Sequence, residues 1–148
     1  MERAFFSHEY FMKEALKEGQ RAFERDEVPV GAVVVANNMI IARAHNFSEA
    51  LNDVTAHAEM QAITAAAHAL GSKYLTDCTL YVTLEPCIMC AGALFWAQIG
   101  AIVFGSFDSK RGYSLIKQGI LHPKTSVISG IMANESEELI KNFFLKKR

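Results

Sequence analysis

No run of apolar residues in this sequence approaches the roughly 18 needed to cross a bilayer, and Met1 to Phe6 holds neither a signal-peptide core nor a small-residue cleavage site. These absences argue against a membrane-spanning or secreted chain and predict a soluble, cytoplasmic protein with no membrane partner. Cysteine is scarce. There are three, an odd number and too few for the disulfide framework of a small secreted domain. Charge is sparse as well, at 21% of residues with a formal net value of -1, so any nucleic-acid partner needs a local basic patch. Repeats, low-complexity tracts and linkers are all missing. What is present is a chain of 148 residues, 51% of them hydrophobic, which suits one domain over 1–148 with a well-filled core.

Apolar residues at three- and four-residue steps from Phe11 to Phe23 predict an amphipathic helix over 8–25, with Ser7 as its cap. Two β-rich runs, 32–36 and 39–44, flank Asn37-Asn38, a pair that tolerates the positive φ of a tight hairpin. A second helix is expected over 56–70, closed by Gly71, and a short strand over 79–83 leads to Glu85-Pro86. Helical composition returns over 87–98, with Pro86 expected just inside that helix and both nearby cysteines on its first turn. Strands over 101–105 and 126–131 and a helix over 135–146, with Leu139, Ile140, Phe143 and Phe144 partly inward, complete the chain. Strands alternating with helices after an opening hairpin imply an α/β fold: a three-layer α/β/α sandwich around a central mixed sheet of about five strands.

The chemistry concentrates in two short segments, His57-Ala58-Glu59 and Pro86-Cys87-Ile88-Met89-Cys90. Cysteines at i and i+3 share a helical face, and amides at a helix start favour their thiolates. One imidazole and two thiolates are the donor types of tetrahedral zinc, with the fourth position left for water as catalysis requires. Glu59 is the candidate base for that water. Residues two apart on a helix do not share a face, so His57 and Glu59 converge only if His57 lies at or before the helix start. Glu85, the competing carboxylate, precedes proline and is given a structural role. The cysteine pair alone would also suit a redox site, and Cys78 as a fourth ligand would close the zinc site into a structural knot. Cys78 reads instead as a small buried hydrophobe, and His45, His68 and His122 as surface or turn residues away from the metal.

His57-Ala58-Glu59 followed by Pro86-Cys87-x-x-Cys90 is the motif of the zinc nucleobase deaminases, whose fold is cytidine-deaminase-like. Beyond the motif, the segments 27–33, 55–59, 79–87 and 90–93, Phe104-Gly105 with Asp108, and the ending Phe143-Phe144-x-Lys-Lys-Arg closely resemble the bacterial tRNA-specific adenosine deaminases. The resemblance implies hydrolytic conversion of adenosine to inosine at the anticodon wobble position (A34) of tRNA, by a homodimer with one zinc per subunit. It implies that Asn46 hydrogen-bonds the flipped base, that Val30 lines the pocket, that the backbone around Ala58 and Leu84 meets the reacting centre, and that Asp108 lies in a loop holding the neighbouring nucleotides. Glu59 would then serve as base and acid in turn. Val54 stands where the family more often has proline, and Arg111-Gly112-Tyr113-Ser114 replaces a longer loop of small residues.

For RNA, the basic candidates are Lys110 and Arg111, and the terminal Lys141, Lys146, Lys147 and Arg148 beside Phe143 and Phe144. Cations interleaved with aromatics can track phosphates and stack bases. The same cations also complement a helix C-terminus, and phenylalanines at helical spacing also suit a core. The resemblance favours RNA contact for Lys110, Arg111, Phe144, Lys146, Lys147 and Arg148. Two other readings stay open on the motif: a zinc deaminase of a free base or nucleoside such as guanine, cytosine or cytidine, and a non-catalytic zinc-bearing RNA-binding domain.

Overall fold

Ser7 accepts a hydrogen bond from the backbone N–H of Tyr10 (3.1 Å) and starts helix α1 (His8–Glu24) in a computed structural model that describes residues 6–147. Strands β1 (Gly31–Ala36) and β2 (Met39–His45) follow as the expected hairpin, with Asn37 and Asn38 both at positive φ (50° and 62°) as a two-residue turn between right-twisted strands demands. A one-turn helix α2 (Ser48–Leu51), absent from the sequence expectation, precedes α3 (Ala58–Leu70), which ends at Gly71 with φ 64°. Four residues are too few for an apolar period to register.

Strand β3 (Cys78–Leu84), helix α4 (Ile88–Ala97), strand β4 (Ala101–Ser106), a 3₁₀ turn (Tyr113–Leu115), strand β5 (Ser126–Ile128) and helix α5 (Ala133–Lys146) complete the order. Most boundaries shift by one or two residues from expectation, and two of the differences change a reading. Pro86 lies outside α4, because Cys87 is still extended (φ −74°, ψ 173°) and acts as the cap residue, so only Cys90 is on the first turn. Strand β5 stops at Ile128, where its pairing with Val103 ends and the chain turns toward Gly130 at φ 85°.

The five strands form one mixed sheet in the order β2-β1-β3-β4-β5, with β1 antiparallel to both neighbours and β3, β4 and β5 parallel. Helices α1 and α5 cover one face, and α3 and α4 the other. Both faces of the inner strands are apolar, and period-two alternation divides them. Ala32, Val34, Leu80, Val82, Ile102 and Phe104 pack with Ala58, Ala62, Ala66 and Leu94. Val33, Val35, Tyr81 and Val103 pack with Phe11, Met12 and Ala15. Glycine lets α1 sit directly on β1. A Cβ at Gly31 would overlap the Ala15 carbonyl and the Gly19 amide, both backbone atoms.

This topology gathers several chain segments at one end of the sheet. Parallel strands β3 and β4 finish there, and antiparallel pairing brings the start of β1 (Gly31) and the end of β2 (His45) to the same end. Val30, Asn46, Glu85 and the loop after Ser106 therefore follow or precede strand ends at one end of the sheet, the end at which open α/β sheets usually bind ligands.

Candidate metal centre

His57 is the residue before the first turn of α3, with extended backbone (φ −75°, ψ 156°), as its convergence with Glu59 required. Its own side chain makes no capping bond. Asn46 supplies one instead, accepting from the Ala58 N–H (2.8 Å) while its amide donates to the Val28 carbonyl (3.0 Å). That clamp frees the His57 ring to face the start of α4.

Sharing one zinc ion in tetrahedral geometry, an imidazole nitrogen and a thiolate sulfur stand about 3.5 Å apart, given bond lengths of about 2.0 and 2.3 Å. His57 Nδ1 lies 3.6 Å from Cys87 Sγ and 3.5 Å from Cys90 Sγ, and the three donor atoms all lie within 4.8 Å of one another. The set fits zinc. Three protein donors leave one tetrahedral position over, as in catalytic sites. Cys78 is not in the cluster; it is buried at the start of β3 within the apolar core, so the closed four-ligand knot is excluded.

The electrostatics of the protein groups follow from their crowding. The hydrogen bond from Cys90 draws the Cys87 thiol down to about 4 against its burial, and His57 adds to the effect. That hydrogen bond and burial push Cys90 the other way, well above the ordinary thiol value. His57 is raised, first by its hydrogen bond with Cys87. A dication shared by the two sulfurs favours thiolate on both. Glu59 is 4% exposed, within hydrogen-bonding reach of Cys90, and burial pushes its carboxyl up to about 7.

Around this centre, Val30 and Ala58 are buried and Leu84 is half-buried at the end of β3. Asp108 Oδ1 accepts from the backbone N–H groups of Lys110 and Arg111 (3.0 Å each), and both cations project from an exposed turn. The C-terminal lysines already have partners: Lys146 and Lys147 both pair with Asp26, Lys146 lies over the Phe23 ring, and Lys147 over Phe143. Phe144 is exposed and Lys141 is on the outer face of α5. Arg148 lies outside the described residues. His45 is a correction to the surface reading. It is 5% exposed and stacked on Phe47 with ring centroids 4.4 Å apart, because β2, which it ends, packs against α3.

Two buried glutamates carry more of the architecture than their sequence signals suggest. Glu27 accepts from the N–H groups of Glu49 (3.0 Å) and Ala50 (2.8 Å) and so holds α2. Glu85 accepts from those of Asp108 (3.0 Å) and Ser114 (2.9 Å). The available cue for Glu85 was a carboxylate set in the apolar segment Thr83-Leu84-Glu85-Pro86, and its structural role matches the expectation.

The model of the cytidine and deoxycytidylate deaminase zinc-binding region matches residues 6–106, spanning β1 to β4 and all three metal donors. Together with the donor geometry this defines a zinc-dependent deaminase, a hydrolase. The chain is 46% identical over 145 residues, 95% of each protein, to a tRNA-specific adenosine deaminase of Aquifex aeolicus. A structure solved in work on A-to-I editing by tRNA:A34 deaminases at the wobble position of transfer RNA is 45% identical, with TM-score 0.83 over 88% of this chain and 98% of that one. A guanine deaminase of Bacillus subtilis is 36% identical, with TM-score 0.67 over 79% and 78%. The chain belongs to the tRNA-specific adenosine deaminase family within that zinc-binding superfamily.

Proposed function

We propose that residues 1–148 form a single deaminase domain that converts adenosine to inosine at the wobble position (A34) of a tRNA anticodon, in the cytoplasm, as a homodimer with one zinc per subunit. The observation that carries this reading is the buried Glu59 carboxyl beside the His57-Cys87-Cys90 donor set, in a chain 46% identical to a tRNA-specific adenosine deaminase. His57, Cys87 and Cys90 would hold the zinc, which when bound would supply a Lewis acid able to make a water nucleophilic near neutral pH. Glu59 is assigned to take one proton from the attacking water and pass it to the ring nitrogen beside the amino-bearing carbon as the water oxygen bonds to that carbon. It then moves the remaining hydroxyl proton to the amino group as the carbon–nitrogen bond breaks, so water and adenosine become inosine and ammonia.

The Asn46 amide, Val30, and the backbone at Ala58 and Leu84 are assigned to the flipped base. The Asn46 bonds to Val28 and Ala58 support a role in shaping that pocket as well. Asp108, Lys110 and Arg111 are assigned to nucleotides next to the target, and Phe144, Lys146, Lys147 and Arg148 to the RNA flank. Asp26, the anchor of Lys146 and Lys147, opens the connection that leads to Val30 at the end of the sheet that carries the metal donors, which supports a tail close to bound RNA. The homodimer is supported by an apolar stripe on α4, where Ile88 and Trp96 (77% exposed) flank Gly92 at four-residue steps. The cytoplasmic assignment accords with a tRNA substrate, and among the described residues no helix is long and apolar enough to cross a membrane.

A second reading, deamination of free guanine, is favoured by the 36% identity to a guanine deaminase. Zinc-loaded protein is to be incubated with an adenosine-containing anticodon stem-loop, and separately with adenine, guanine, cytosine and cytidine, and scored for inosine and ammonia. Inosine in the RNA alone is the expected result, and ammonia from guanine without RNA turnover overturns it. Glu59→Gln is expected to keep zinc and to lower turnover by about 10²–10⁴-fold.

A further inference from the structure

Glu85 is buried to 2% exposure, yet no cation among the described residues pairs with it and the deamination chemistry leaves it unused. Its two oxygens face one loop. Oε1 accepts from the N–H of Asp108, and Oε2 from that of Ser114, six residues later. Between those anchors the loop folds back on Asp108, which receives Lys110 and Arg111 on its side chain and Gly112 on its carbonyl (3.0 Å). The loop also touches the metal-ligand segment directly. Gly112 bridges to Cys87, and the Tyr113 N–H donates to the Pro86 carbonyl (3.0 Å). Gly112 has no room for a side chain, since a Cβ there would overlap the Glu85 carboxylate.

We infer that Glu85 is a positioning residue for substrate, a carboxylate staple that fixes the Lys110-Arg111 turn relative to Cys87 so that an RNA backbone held by the turn presents its base at the metal. The proposal rests on the RNA-deaminase reading above. A carboxylate suits the task because it offers acceptors only, so both loop amides are met at once. A glutamine in its place turns a donor toward one of those amides and releases one end of the loop. Because Glu85 directly precedes Pro86-Cys87, any movement of the loop is measured against the ligand segment itself.

The test compares wild type, Glu85→Gln and Gly112→Ala, all zinc-loaded, on the anticodon stem-loop. Zinc content, thermal midpoint, KM and kcat are read for each. The second variant attacks the same contact from the loop side, so it serves if Glu85→Gln fails to fold. KM is expected to rise about tenfold, the factor carried by one lost charge-assisted hydrogen bond, with kcat within about twofold and zinc retained. A lower thermal midpoint with KM unchanged would show a purely structural carboxylate and overturn the proposal. Loss of zinc would overturn it in favour of a role in holding Cys87. Wild type inactive on the RNA sinks the underlying functional reading and this inference with it, whereas active wild type with unaltered variants sinks the inference alone.

Discussion

Asn46 Oδ1 accepts a hydrogen bond from the backbone N–H of Ala58 at 2.8 Å, so a residue at the end of the hairpin caps the helix that carries the metal site. The cap acts across 12 positions of sequence and fixes the peptide between His57 and Glu59. Asn46→Ala is expected to lower stability by about 1–2 kcal/mol, the range for a lost cap, as measured by denaturant unfolding. Deamination should fall in the same variant. A variant as stable as the parent would show that water replaces the cap.

Removal of zinc is expected to abolish deamination and to lower the thermal midpoint. A ligand present at about a hundred times its Kd adds about 2.7 kcal/mol, which for a chain of this size corresponds to about 5–10 °C. Metal analysis after dialysis should give one zinc per chain, lost in His57→Ala and Cys90→Ala. Full metal content in either variant would contradict the donor assignment.

Two glycine-to-alanine substitutions should behave in opposite ways. Gly31→Ala places a methyl group against the backbone of Ala15 and Gly19, which cannot rotate aside, and should cost about 3 kcal/mol or more in unfolding free energy. Gly92→Ala meets nothing within 4 Å and removes a helix-interior glycine, which should add about 0.5–1 kcal/mol to a monomer. If α4 is the homodimer face, the same methyl group shifts sedimentation toward monomer. An unchanged dimer would move the interface elsewhere.

Glu14, buried on α1, binds Lys17 (2.7 Å) and Arg43 of β2 (2.9 Å), and these partners hold its carboxyl below the ordinary value of 4.5, Lys17 most of all. A depressed carboxyl value means stabilisation that is present above the ordinary value and lost as pH falls through the folded one. Arg43→Ala should therefore cost about 0.5–1 kcal/mol near neutral pH, since Arg43 is partly exposed. The difference from the parent should vanish once the pH has fallen through the lowered value of the folded Glu14 carboxyl. A cost independent of pH would show that Arg43 acts through packing of its aliphatic stem.

Much of this protein was determined by local pattern. Ser7 before an apolar period, Asn37-Asn38 between β-rich runs and Gly71 after an alanine-rich stretch each specify their element through short-range sterics and hydrogen bonding, and the structure places those boundaries within two residues of expectation. His57-Ala58-Glu59 and Cys87-x-x-Cys90 likewise announced the metal by donor type alone. Tertiary structure decided what depended on atoms distant in sequence. That Asn46 caps α3, that His45 is buried, that Pro86 falls outside α4, and that Glu27 and Glu85 each hold a remote segment follow from which strand ends the sheet brings together. A carboxylate and a backbone N–H leave no periodic trace in sequence, so their pairing becomes readable only once the sheet sets β3 beside β4 and carries Glu85 to the loop that begins at Phe107.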